Sequence, residues 1–279
     1  MTLKTIPTIL ILVASLTCPG LARATTAVAE VVTTDQAVQA EDGKLDLARQ
    51  WILSFMVKKA PPGRKLWYPE SHETSDEAML RYRAIADDII HVVYDPNVKP
   101  IFTGKNGRSR TVAIMLSVML HESSFMRHVD YGLGKYARGD LGRSWCLMQI
   151  NIGTGRTSKW NRVHDRAPVW GDPELDIDPG HTGDEMIQDR KLCLLEGLKI
   201  MRQSFAVCSK LPLEDRLRSY ASGSCEKGSV ASRARVLGGM RWFETTFKKQ
   251  FTDAEVQQGL REEPVRMTGP APGQEVNML

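Results

Sequence analysis

The sequence has little excess charge, few cysteines and no apolar run long enough for a permanent membrane anchor. Its 37 Lys and Arg against 33 Asp and Glu leave +4, too small and too scattered an excess for a nucleic-acid surface. The first apolar run, Ile6 to Leu16, falls short of the roughly 20 residues that cross a bilayer, and no later segment is long enough. With 42% hydrophobic and 25% charged residues, 22 Gly and 14 Pro, a disordered polyelectrolyte, a collagen and a coiled-coil rod are all excluded. There is no internal repeat and no convincing set of strands.

Metal motifs are missing as well. His121-Glu122 would begin a zinc-protease helix only with a second His four residues after the first, and that position is Phe125. His128 has no third ligand in view. Asp176 and Asp178 resemble a calcium loop, but its twelfth position is Ile187 where a bidentate Glu belongs. The expectation from these motifs is no metal.

What is present begins with a leader. Lys4, the apolar run and Ala22-Arg23-Ala24 form the three parts of a secretory signal peptide, with cleavage expected after Ala24. Cys18 is read as a spectator inside it. Removing Lys4 and Arg23 leaves 35 basic against 33 acidic residues, a net of +2, and the apparent basicity largely disappears. The remaining cysteines are Cys146, Cys193, Cys208 and Cys225, an even number in an exported chain and so a plausible pair of disulfides.

Residues 25–44 read as a flexible spacer, 45–255 as one mostly α domain, and 256–279 as a disordered tail. Helices are expected at about Leu45–Lys58, Ser75–Tyr94, Asp184–Cys208, Leu213–Tyr220 and Ser229–Phe251, each from apolar residues recurring at helical spacing. Thr111–Leu120 is apolar nearly all round, which marks a helix buried in the middle of a domain. From Phe125 to Asn161 the chain is Gly-rich and weakly periodic, a long irregular or hairpin-bearing excursion of the kind that carries function. Trp170–Gly183 forms another loop. On a continuous helix Cys193 and Cys208 would lie about 22 Å apart and could not pair. The preferred connectivity is Cys146–Cys193 and Cys208–Cys225, with the crossed alternative open.

Three stretches carry chemistry: His121-Glu122-Ser123-Ser124-Phe125, Ser144-Trp145-Cys146-Leu147-Met148-Gln149-Ile150-Asn151, and Ser219-Tyr220-Ala221-Ser222-Gly223. The first ends an oily helix with a carboxyl, where burial disfavours the anion and raises the pKa. Such a group can hold a proton near neutral pH, as the general acid of glycoside cleavage must.

In this order the motifs resemble the lysozyme-like lytic transglycosylase superfamily, bacterial enzymes that cleave peptidoglycan, over roughly Val112 to Gly223. The resemblance implies a lysozyme-like single domain whose long irregular or small β-hairpin loop lines the cleft. It makes Glu122 the catalytic acid and base, and Tyr220 the residue that hydrogen-bonds and orients it. Ser124, Met148, Gln149 and Asn151 become cleft residues that bind the glycan. The implied reaction breaks the β-1,4 bond between N-acetylmuramic acid and N-acetylglucosamine, closes a 1,6-anhydro ring and needs no metal or organic cofactor. The implied partner is the peptidoglycan strand, with no nucleic acid and no stable membrane anchor, for a monomeric protein in the periplasm or outside the cell.

Three positions depart from the family pattern. Cys146 replaces the Gly before Leu-Met-Gln, the 27 residues from Glu122 to Gln149 exceed the usual spacing, and Ala221 stands where Asn is most common. The first two suggest an enlarged, disulfide-pinned loop over the cleft. Two alternatives stand beside this reading. One is a muramidase that hydrolyses the same bond with Asp130 or Asp140 as second carboxylate, and the other is a peptidoglycan-binding protein without activity.

Overall fold

The computed structural model describes residues 34–157, 180–247 and 250–263. The signal-peptide assignment and Asp176 and Asp178 fall outside the described residues. Among the described residues the chain is mostly helical, with one small antiparallel sheet.

Helix α1 covers Thr34–Lys59, so the helix expected from Leu45 starts about three turns earlier, inside the segment expected to be a spacer. Helix α2 (Ser75–Val93) opens with a complete capping box, in which Thr74 and Glu77 each accept from the other's backbone N–H. Helix α3 (Gly107–Glu122) is the central rod, buried from Thr111 to Met119 as its unbroken apolar character requires. One turn, α4 (Arg127–Asp130), follows it.

The Gly-rich excursion holds the hairpin. Strand β1 (Ser144–Trp145) pairs antiparallel with β2 (Ile150–Asn151), with Ser144 opposite Asn151 and Trp145 opposite Ile150. Beyond it the single long helix expected from Asp184 is two helices, α5 (Gly183–Gln188) and α6 (Arg190–Val207). The break is Asp189, whose backbone is extended and whose side chain accepts from the N–H of Lys191, a local cap that restarts the helix. The helix expected at Leu213–Tyr220 is a 3-10 turn (Leu213–Asp215) and then α7 (Arg218–Ser222). Helix α8 covers Ser229–Thr246 and α9 covers Asp253–Glu262. No helix among the described residues is long and apolar enough to cross a membrane.

Helix α9 corrects the expectation of a disordered tail from residue 256. Val256 is fully buried, and Asp253 at the start of α9 caps α3 from 144 residues away in sequence. One of its carboxylate oxygens accepts from the Arg108 N–H at 2.9 Å, the other from the N–H and hydroxyl of Ser109 at 3.1 and 2.6 Å. Asn106, at the N-cap of α3, is left-handed and makes no side-chain cap. The orphan N–H groups of the buried helix are therefore served by a remote carboxylate.

Two glycines set how α8 crosses α3. A Cβ on Gly239 would lie 2.6 Å from the Ala113 carbonyl oxygen, and one on Gly238 would lie 2.8 Å from the Ser117 hydroxyl. The backbones thus approach closely because those positions carry no side chain. Running antiparallel along the two helices, this contact continues to Arg235 opposite Glu122.

The disulfides are Cys146–Cys193 and Cys208–Cys225, the preferred connectivity. The first ties the hairpin to α6. The second ties the end of α6 to the loop after α7.

Candidate active site

Glu122 is the last residue of α3. The chain then turns through Ser124 and Phe125, both left-handed at φ 49° and 54°, and drives the fully buried Phe125 ring against Phe55 and Tyr82. Ser123 is buried too, its hydroxyl donating to the Met119 carbonyl and accepting from the Phe125 N–H. Anchored on both sides, the Glu122 carboxyl is held at the rim of the core, its side chain 18% exposed. Left-handed non-glycine residues store conformational strain of about 1–3 kcal/mol each and concentrate where geometry is functional.

Burial pushes the Glu122 carboxyl above its ordinary value near 4.5. Arg235 opposes this through its charge and hydrogen bonds, and the Asp140 carboxylate reinforces it. Arg235 donates from Nε at 2.9 Å and from Nη2 at 2.6 Å, and both bonds go to the same oxygen, Oε1. Among the described residues nothing bonds the other oxygen. One carboxylate oxygen is clamped and its neighbour has no partner among the described residues, an arrangement that suits a proton donor to a bound molecule. Arg235 was not anticipated from the sequence. The signal that could have found it is the Gly238-Gly239 pair, which marks a close helix crossing one turn away.

The hairpin motif is held by its own polar groups. Gln149, at φ 47°, accepts from the Gly139 N–H at 2.9 Å and donates through Nε2 to the Cys146 carbonyl at 2.9 Å. Its amide braces the loop and does not stand free as a ligand group. A Cβ on Gly139 would collide with Gln149 Oε1, so this brace needs glycine there. Met148 is fully buried and packs on α6, where a Cβ on Gly197 would lie 2.7 Å from its side chain. The hairpin therefore rests on α6 through Met148 and through the Cys146–Cys193 bond one turn away.

Tyr220 departs from its expected role. Its hydroxyl donates to the Met148 carbonyl at 2.5 Å, not to Glu122. It still lies near enough to Glu122 for that carboxylate to add to the effect of burial, which holds the phenol well above its ordinary pKa. The hydroxyl is thus a neutral donor that fixes the hairpin behind the acid. Ser124 also turns inward: its hydroxyl donates to the Leu120 carbonyl at 3.1 Å, while its own carbonyl accepts from Arg64.

The two candidate second carboxylates separate. Asp130 is buried and held by both Nε and Nη2 of Arg190 at 2.8 and 2.9 Å, with Arg81 Nη1 3.6 Å away. Arg190 also reaches Asp88 at 2.6 Å. Asp130 therefore locks α4 to α2 and α6 and cannot act across a cleft, so that candidate is overturned. Buried charges persist when neutralised in this way.

Asp140 is exposed, in a left-handed run with Leu141 and Gly142. Its carboxylate accepts from the Ser144 hydroxyl at 2.5 Å and from Asn151 Nδ2 at 3.1 Å. Of the two, it is the one near enough to bear on Glu122. Asn151 thus serves to hold Asp140 at the hairpin.

Trp145 of β1 lies over Gly183, where any Cβ would collide with the indole, and the Arg138 guanidinium carbon lies 3.7 Å from the ring centroid. The indole Nε1–H donates to the Gly153 carbonyl at 2.7 Å. A cavity of about 480 Å³ opens at the opposite end of α3, lined by Phe102, Asn106 and Asp253 among others, and takes no part in this site. Comparison with protein-family models, with curated proteins and with solved structures returns no match.

Proposed function

We propose that this chain is an exported, lysozyme-like lytic transglycosylase that cleaves peptidoglycan, with Glu122 as its general acid and base. The observation that carries the reading is the state of Glu122: raised by burial, clamped through Oε1 by Arg235 and without a partner on Oε2 among the described residues. The Leu147-Met148-Gln149 turn is braced by Gln149 and by the Tyr220 hydroxyl, a rigidity that suits the wall of a glycan cleft. Two disulfides suit the oxidising compartment to which the leader would send the chain.

In the proposed reaction the proton on Oε2 of Glu122 passes to the bridging oxygen as the bond from that oxygen to the muramyl anomeric carbon breaks. The muramyl C6 hydroxyl then forms its bond to the anomeric carbon and returns its proton to Glu122. Water is not consumed, and the products are a free N-acetylglucosamine end and a 1,6-anhydro end. The oxocarbenium-like transition state gains from nearby negative charge, which Asp140 supplies.

The position of Asp140 also favours a second reading, hydrolysis of the same bond with that carboxylate orienting a water molecule. Mass spectrometry of the soluble products separates the two, because anhydro ends lack one water relative to reducing ends. Glu122→Gln protein is expected to release no soluble fragments from purified sacculi. Release at the wild-type rate would overturn both readings.

A further inference from the structure

The turn that follows Glu122 is held from outside the three motifs. Ser124 and Phe125 are both left-handed, so a flip of the peptide group that joins them would relieve the strained φ of Phe125. That peptide is tied at both ends. Its N–H, from Phe125, donates to the Ser123 hydroxyl at 3.3 Å, and its carbonyl, from Ser124, accepts from Nη2 of Arg64. Among the described residues this carbonyl has no other donor and Arg64 has no carboxylate partner. A flipped peptide would lose both bonds.

Arg64 reaches the turn from a short, stiff connection between α1 and α2. Ala60, fully buried just past α1, has its carbonyl bonded by the Tyr82 hydroxyl at 2.8 Å, and the Tyr82 ring packs edge-on against Phe125 at 6.2 Å between centroids. One side chain of α2 therefore supports both the approach to Arg64 and the turn after Glu122. Pro61 and Pro62 restrict the backbone between them. Gly63 then turns left-handed at φ 69°, where a Cβ would collide with the Ser75 hydroxyl.

Glu122 lies in the last turn of α3, a place where helices lack internal partners for their carbonyls and fray unless the chain beyond is fixed. We propose that Arg64 is a positioning residue for the acid: by locking the Ser124–Phe125 peptide it keeps the last turn of α3 wound and the Glu122 carboxyl facing Arg235. The role rests on the catalytic reading of Glu122. A guanidinium suits it, because a charged donor bonds a carbonyl more strongly than a neutral one. The two arginines act differently. Arg235 holds the carboxyl itself and bears on its charge, whereas Arg64 holds the backbone that carries it.

The test compares full-length wild type, Arg64→Met and Arg64→Lys in kcat and KM on soluble glycan strands, in thermal melting, and in amide hydrogen exchange at Phe125. Arg64→Met is expected to lose kcat about 10–100-fold, as for a misplaced catalytic group, with KM within about twofold of the wild type and the alkaline limb of the pH profile in place. Exchange at Phe125 should quicken about tenfold or more. Arg64→Lys, which keeps a charged donor for the same carbonyl, should recover part of both. A loss that follows a lowered melt, raises KM equally and is not rescued by Lys would overturn the positioning role. Unchanged kcat in Arg64→Met beside an active wild type would also overturn it, and would leave the catalytic reading standing. A wild type that releases no fragments would instead overturn the catalytic reading, and faster exchange at Phe125 in Arg64→Met would still support the lock on the turn.

Discussion

Arg235 places two hydrogen bonds on one oxygen of Glu122, at 2.9 and 2.6 Å, and leaves the second oxygen without a partner among the described residues. This asymmetry fixes which oxygen can carry a transferable proton. It also sets two opposed influences on the acid, because burial raises its pKa while the guanidinium lowers it.

Replacing Arg235 by Met removes only the lowering influence, so the Glu122 pKa should rise further. The alkaline limb of the pH profile of kcat/KM, where the acid loses its proton, is expected to move to higher pH, with a rate loss of about 10–100-fold from lost orientation. Arg235→Lys should restore part of the rate. An alkaline limb that stays in place would show that the guanidinium does not tune the acid.

The same carboxyl makes stability depend on pH. A carboxyl whose pKa is raised on folding binds more protons in the native state, so between its ordinary value near 4.5 and the raised value stability falls as pH rises. Glu122→Gln removes this one contribution. The melting temperature of the wild type relative to Glu122→Gln is expected to decline from pH 4 to pH 8, as calorimetry at each pH would report.

Tyr220→Phe deletes the donor to the Met148 carbonyl without creating a cavity. A buried acceptor left unpaired costs about 1–3 kcal/mol, so the protein should lose that much stability to denaturant. Because the hydroxyl bonds the hairpin and not the acid, the alkaline limb should stay where it is. A shift like that of Arg235→Met would restore a direct role on Glu122.

The two disulfides should separate stability from activity. They link residues 47 and 17 apart, and loop closure assigns them about 4 and 3 kcal/mol. Replacing Cys146 and Cys193 together by Ser should cost activity beyond its effect on folding, because that bond pins the hairpin to α6. The Cys208 and Cys225 double replacement should cost stability mainly. Equal losses of activity in the two, at temperatures where both are folded, would contradict this.

Asp253→Ala tests the remote cap. Three hydrogen bonds to Arg108 and Ser109 disappear, and a loss of about 1–2 kcal/mol is expected, with α9 loosened from α3. Amide hydrogen exchange at Arg108 and Ser109 should quicken. Protection as in the wild type would show that another group serves the helix start.

The helices α2 and α3, the hairpin-bearing excursion, the exclusion of a Cys193–Cys208 disulfide and the carboxyl at the end of an oily helix were legible in the sequence, because each follows from local periodicity, composition or chain geometry; between the two remaining disulfide pairings only the fold decided. A raised pKa for Glu122 was legible too, since a fully apolar helix must be buried and its last residue must share that burial. What the sequence did not show is set by partners distant along the chain. Asp130 reads like any loop carboxylate until Arg190, 60 residues away, closes on it. Tyr220 reads as a partner of the acid until the fold brings the Met148 carbonyl to its hydroxyl. Arg235 is one Arg among many until two glycines let α8 lie directly on α3. Local sequence determined which groups exist and which faces are apolar; tertiary packing decided which charges meet, because hydrogen bonds and ion pairs act over about 3 Å and depend on the approach of elements far apart in sequence.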